Sequence, residues 1–113
     1  MKKIVDSRPW GNFVEYTHNE PSTVKVLTIF PHEELSLQYH THRKEFWRVM
    51  HGNPDLIIGD NKIDAKIGDE FEIPENVKHK ISAKDDVVHI LEISFGDFDE
   101  KDIVRLEDKY GRK

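Results

Sequence analysis

With 113 residues the chain is long enough to bury a core but too short for a second catalytic module, so a single domain over 1–113 is expected. It carries 17 Lys and Arg against 22 Asp and Glu, a net charge of -5. That balance excludes broad nucleic-acid binding, and the scattered basic residues leave room only for a local anion pocket. Cysteine is absent, which excludes disulfides and thiolate metal sites and fits a reducing cytoplasm.

Met1-Lys2-Lys3 could open a signal peptide, but no apolar stretch follows before Asp6 and Arg8. No segment is long and apolar enough to span a membrane, so a cytoplasmic protein without membrane partners is expected. In chain order, short segments of alternating polarity predict strands at 24–30, 35–40, 46–50, 56–58, 62–67, 70–73, 79–83 and 87–95. Gly52-Asn53-Pro54 and Gly59-Asp60-Asn61 are turn chemistry, and 66–69 is a further corner. Ile103, Leu106 and Tyr110 fall at helical spacing, which predicts a short helical tail over 100–109. Many short antiparallel strands in one small domain predict an all-β jelly-roll barrel.

Within 35–45 the chain sets an amide, two imidazoles and a carboxylate close together. Period-two geometry puts Ser36, Gln38 and His40 on one strand face, Glu45 with Trp47 and Val49, and His79 with Ile81 and Ala83. Counting from Gln38-x-His40 leaves four residues before Glu45 and six more before Gly52. In the second half, Gly68, Pro74, Asn76 and His79 keep a matching interval, with Asn76 where a glycine would stand. Both spacings are similar to the paired motifs of cupins, whose fold is a double-stranded β-helix; the first motif's opening glycine is replaced by His32. Gln38, His40, Glu45 and His79 are the favoured ligands of one divalent ion. In the alternative register His40 and His42 form the pair and Gln38 is released. Nitrogen and oxygen donors without sulfur admit zinc, manganese, iron, cobalt or nickel.

The remaining histidines read differently. His18 and His51 sit beside turn residues and are expected in solvent, whereas His89, among Val87, Leu91 and Ile93, reads as a hydrogen-bonded core histidine. Glu92 lies on the opposite face with Ile90 and Ser94. A carboxylate there needs a partner or a cavity, because an unpaired buried charge is expensive.

Three segments together resemble the type II mannose-6-phosphate isomerase, a cupin best known as the C-terminal part of bifunctional mannose-1-phosphate guanylyltransferase/mannose-6-phosphate isomerase. They are Arg8-Pro9-Trp10-Gly11, the stretch 35–47, and Asp102-Ile103-Val104-Arg105-Leu106-Glu107-Asp108-Lys109-Tyr110-Gly111-Arg112. The resemblance implies a metal-dependent interconversion of mannose 6-phosphate and fructose 6-phosphate through a metal-stabilised enediolate. It also makes Arg105 the essential arginine. The family's His-His-His-Arg-x-Glu-His-Trp run reads His40-Thr41-His42-Arg43-Lys44-Glu45-Phe46-Trp47 here; neither altered position shares the ligand face, so the metal site is expected to survive. No nucleotidyltransferase segment lies in the 113 residues, so GDP-mannose synthesis is not expected of this chain.

For proton transfer between C1 and C2 the candidate groups are Glu92 and His42, with Glu45 a third if it is not a tight ligand; a hydride shift would need no base. Arg105, Arg112 and Arg8 are the candidate phosphate grips, since a guanidinium binds phosphate bidentately. Trp10 and Trp47 could wall a sugar but are better read as packing residues. Leu35, Leu37, Tyr39, Phe46 and Met50 would face out of the barrel, which points to a homodimer. A non-catalytic sugar- or metal-binding cupin is the competing reading.

Overall fold

A computed structural model of the chain describes residues 3–112, which form eleven strands and no helix. In order these are β1 (Ile4–Arg8), β2 (Gly11–Glu15), β3 (Ser22–Ile29), β4 (Leu37–Tyr39), β5 (Lys44–His51), β6 (Asp55–Ile58), β7 (Asn61–Asp64), β8 (Glu70–Ile73), β9 (His79–Ser82), β10 (Val88–Phe95) and β11 (Val104–Glu107). β1 and β2 form a separate hairpin; the others make a four-stranded sheet ordered β3-β10-β5-β8 facing a five-stranded sheet ordered β11-β4-β9-β6-β7. Every strand pairing is antiparallel. This is the all-β cupin barrel.

The inner faces follow from strand alternation. On β5, Glu45, Trp47 and Val49 point in; on β10, Val88, Ile90, Glu92 and Ser94 do. They pack with Leu56, Ile73, Ile81 and Ile29 into the core, in which Trp47 is wholly buried. The apolar half of each sheet thus fills one end of the barrel, and the polar inner positions collect at the other.

Backbone geometry explains two substitutions in the cupin spacing. His32 and Asn76, standing where the motifs have glycine, adopt φ of 63° and 64°. Left-handed backbone costs a non-glycine residue roughly 1–2 kcal/mol, least for Asn. At Gly52 no substitute is tolerable, because a Cβ would lie 2.5 Å from the Val87 carbonyl oxygen.

The tail over 100–109 is not helical. Val104–Glu107 is a strand, with Arg105 opposite Gln38 and Val104 opposite Tyr39 on the edge of β4. Helical spacing of Ile103, Leu106 and Tyr110 was matched by equally good alternation, and the open edge of β4 decides between them; Leu106 and Tyr110 end up exposed. The β1–β2 hairpin escapes the sequence reading because both its faces are exposed, so no hydrophobic period marks it. Phe46 does face outward, but Tyr16 of the same chain covers it, with ring centroids 5.0 Å apart. Tyr16, Arg48 and Lys3 all donate to the Glu70 carboxylate, fastening this segment to the barrel. His89 is half-buried on the outer face, its Nδ1 3.1 Å from Thr28 Oγ1, rather than in the core. No helix among the described residues is long and apolar enough to cross a membrane.

Candidate metal centre

At the polar end of the barrel, His40, Glu45 and His79 bring ligand atoms within 4.8 Å of one another, and all three side chains are buried. Three different elements deliver them: His40 directly follows β4, Glu45 is the second residue of β5 and His79 opens β9. Glu45 Oε2 lies 3.4 Å from His40 Nε2, and Glu45 Oε1 3.6 Å from His79 Nε2.

Each imidazole is turned by a backbone carbonyl. His79 Nδ1 sits 3.0 Å from the Val77 carbonyl and His40 Nδ1 2.6 Å from that of Asp102, so in each ring Nδ1–H donates and the Nε2 lone pair faces the centre. This is how metal-binding histidines are oriented. Burial pushes both rings down to a pKa of about 4, so both are neutral at pH 7 as ligation requires. Burial also pushes the Glu45 carboxyl up, against the opposing pull of Arg43 and of the Trp47 indole, whose Nε1–H donates at 3.2 Å. His79 Nε2 and Glu45 Oε2 are buried without a hydrogen-bond partner. Orphaned acceptors of this kind, two neutral imidazoles and a carboxylate fit a divalent ion of the zinc, manganese or iron type.

Gln38 shares the inner face with His79, its partner in register. Its Oε1 accepts from the buried Ser36 hydroxyl at 2.6 Å and retains a second lone pair. His42 is exposed and lies outside the group formed by His40, Glu45 and His79. Thr41 and Phe46, the altered positions of the histidine run, point to Asp102 and Tyr16 instead.

Two residues at the centre were not singled out in the sequence. Arg43 is buried, with Nη2 2.9 Å from His40 Nε2, Nε 3.3 Å from Glu45 Oε2, and its guanidinium 4.5 Å from the Phe98 ring centroid. It lies in the quoted histidine run, but strand parity says nothing about a loop residue. Asp102 accepts from the Thr41 amide and hydroxyl and the His42 amide, at 2.9, 2.7 and 2.9 Å, while its carbonyl holds His40. These bonds hold its carboxyl down to about 2. Its motif was visible; reading it as helix hid the clasp. Asp102→Ala keeps the carbonyl that turns His40 but frees residues 41–42, so metal affinity in chelator competition should fall, by less than the roughly 10- to 100-fold typical of losing a direct ligand support.

Glu92 is buried on the inner face, between Lys25 of β3 and Trp47 of β5 in register. Burial, then the nearby Glu45 charge, raises its pKa to about 7. A group raised from 4.5 to about 7 stabilises the fold below pH 4.5 and loses that contribution as pH rises through 7. Glu92→Gln should therefore gain on the wild type by about 3 kcal/mol between pH 4.5 and pH 8 in urea unfolding of the metal-free protein. A stability difference independent of pH would contradict the burial of this carboxyl.

The three candidate phosphate arginines part company. Arg105 is half-buried on β11, its side chain on the same sheet face as Gln38 and His79, and its Nε is buried without a partner. Arg8 is exposed and paired with Asp6 at 2.9 Å. Arg112 closes on Asp108 at 2.8 Å and lines, with Tyr110, a cavity that no metal-group residue borders. Trp10 is exposed at the hairpin turn. A cavity of about 500 Å³ opens beside Glu45, between Glu72, Pro74 and Phe95.

Fold and site together define a cupin with a histidine- and carboxylate-lined centre. Solved structures agree on the fold: oxalate decarboxylase from Bacillus subtilis superposes with a TM-score of 0.70 at 22% identity over 77% of this chain and 24% of that one. A cupin protein from Bacteroides fragilis gives 0.61 at 22% identity, over 69% and 70% of the two chains. Residues 2–108 match the family described as Mannose-6-phosphate isomerase C-terminal, and the chain belongs to it. Relatives include mannose-1-phosphate guanylyltransferase of Salmonella montevideo, 37% identical over 110 residues, and xanthan biosynthesis protein XanB of Xanthomonas campestris pv. campestris (strain B100), 35% identical over 107. Both alignments cover 93% of this chain but only 23% of the relative, so the chain spans about a quarter of their length.

Proposed function

We propose that the chain is a metal-dependent aldose–ketose isomerase that interconverts mannose 6-phosphate and fructose 6-phosphate. One observation carries this reading: two neutral imidazoles and a carboxylate converge beside a second buried carboxyl, Glu92, with Arg105 on the adjoining sheet face. Gln38, His40, Glu45 and His79 would hold the ion, which when bound supplies Lewis-acid polarisation of the sugar oxygens at C1 and C2.

The chain's own residues do the rest. Glu92, with a pKa of about 7, can both take and return the proton exchanged between C1 and C2 at neutral pH. His42 keeps a subsidiary place at the rim. Arg105 grips the phosphate and so sets where along the sugar the carbonyl falls. Trp47 floors the centre, holds Glu45 and packs edge-on against His79 at 5.4 Å. A cytoplasmic homodimer fits this reading; Val24 and Val26 on the free strand β3 expose apolar surface suited to a second copy, and sedimentation of a monomer alone would count against it.

Incubation with mannose 6-phosphate and zinc, manganese, iron, cobalt or nickel, followed by assay of fructose 6-phosphate, tests the proposal. Absence of product with every metal, and with a broad sugar-phosphate panel, would instead mark a sugar- or metal-binding module.

A further inference from the structure

Lys25 lies in a strand whose alternate residues, Val24 and Val26, are exposed, while Leu27 and Ile29 on its own face pack against the core. Lys25 therefore points into the barrel, opposite Glu92 in register. Its ammonium rests 4.1 Å from the centroid of the Phe98 ring rather than against a carboxylate. The Arg43 guanidinium stacks on the same ring.

β3 and β11 are the first strands of their respective sheets, so each has a free edge. These edges lie on one side of the barrel. Phe98, in the connection from β10 to β11, touches Lys25, and Lys109 and Tyr110 just beyond β11 bond His32 and Glu33 just beyond β3. Lys25 and Arg105 thus stand on the free-edge strands of the two sheets, and Phe98 carries both Lys25 and Arg43. Arg43 Nη1 and Arg105 Nε are buried donors without acceptors, and Arg43 Nε has only its 3.3 Å ion pair to Glu45 Oε2. Native folds leave few such groups, and several together call for an acceptor-rich ligand.

We propose that Lys25 is the second jaw of an anion clamp, facing Arg105 across the open side of the barrel, and that the clamp takes the phosphate of the sugar substrate. The inference rests on the sugar-phosphate reading of the site and extends it to a residue that neither histidine run nor tail contains. The bland account of Lys25 is charge balance: its field favours ionised Glu45 and Glu92. The two accounts differ in what removal of the charge does to phosphate and to metal.

Inorganic phosphate titrated into the full chain by calorimetry, with metal affinity measured in parallel, separates them. Lys25→Gln should weaken phosphate binding about 10-fold or more, as expected for a lost charge-assisted contact, and leave metal affinity unchanged. KM for mannose 6-phosphate should rise by a similar factor with kcat within about threefold, and Lys25→Arg should restore most of the affinity. Lys25→Met, which keeps the apolar stem, serves if Lys25→Gln fails to fold by circular dichroism. Wild type that takes no phosphate, phosphate affinity indifferent to Lys25, or metal affinity falling in step with phosphate affinity would each overturn the clamp. Phosphate binding that depends on Lys25 without turnover would defeat the isomerase reading and leave the clamp. Turnover with phosphate binding indifferent to Lys25 would do the reverse.

Discussion

His79→Ala should strip the protein of its metal and reduce mannose 6-phosphate isomerisation to background. Metal sites built into folds are worth on the order of 10–16 kcal/mol, so one ligand in four carries about 3–4 kcal/mol, or between two and three orders of magnitude in affinity. Among the candidate ligands, His79 is the one for which the structure offers least compensation. Its Nε2 is a buried acceptor with no other partner, and its ring is clamped between the Val77 carbonyl and the edge of Trp47. Metal content after gel filtration and a dye-competition affinity read the outcome directly. Retention of full metal stoichiometry by the variant would move the centre away from these residues. The same loss is not expected of His42→Ala, since His42 is exposed and only its backbone amide is held, by Asp102.

Arg105→Ala should lower kcat/KM for mannose 6-phosphate by roughly 10²-fold while the protein keeps its metal. Hydrogen bonds to a charged group are worth about 1.5–3 kcal/mol each, and a guanidinium can make two to a phosphate. Strand β11 is an exposed edge, so the fold should tolerate the change. Arg8→Ala and Arg112→Ala should each change kcat/KM less than threefold, because both guanidiniums are already engaged by carboxylates, Asp6 and Asp108, on their own segments. An equal loss in all three variants would show that phosphate is held by summed surface charge rather than by one placed arginine. Phosphate-free mannose serves as control, since Arg105→Ala should not alter any turnover it supports.

How far each element was legible depends on whether it buries one face. Strands of the barrel alternate because one side meets the core, and their polarity period exposes them even where their ends are off by up to three residues. The hairpin β1–β2 lacks that contrast. In the tail, 100–109 carries both a helical and an alternating pattern, and only the unfilled edge of β4 selects the strand. Of the residues expected to face outward and so to suggest a homodimer, Leu35 packs against the core and Phe46 is covered by Tyr16, 30 positions earlier in the same chain.

By itself the sequence determined the barrel, the family, and the spacing that picks His40, Glu45 and His79 out of the chain's histidines and carboxylates. Strand period and turn chemistry are local, and they carry that information in residue order. Only the tertiary structure decided which groups surround those residues. Asp102 clasps His40 from 62 positions away, Arg43 turns inward from a loop, and Lys25 lies opposite Glu92 and Arg105 opposite Gln38 on the free-edge strands of the two sheets. Contacts between distant segments, and the direction of side chains in loops, are set by the packing of the two sheets and have no period to betray them.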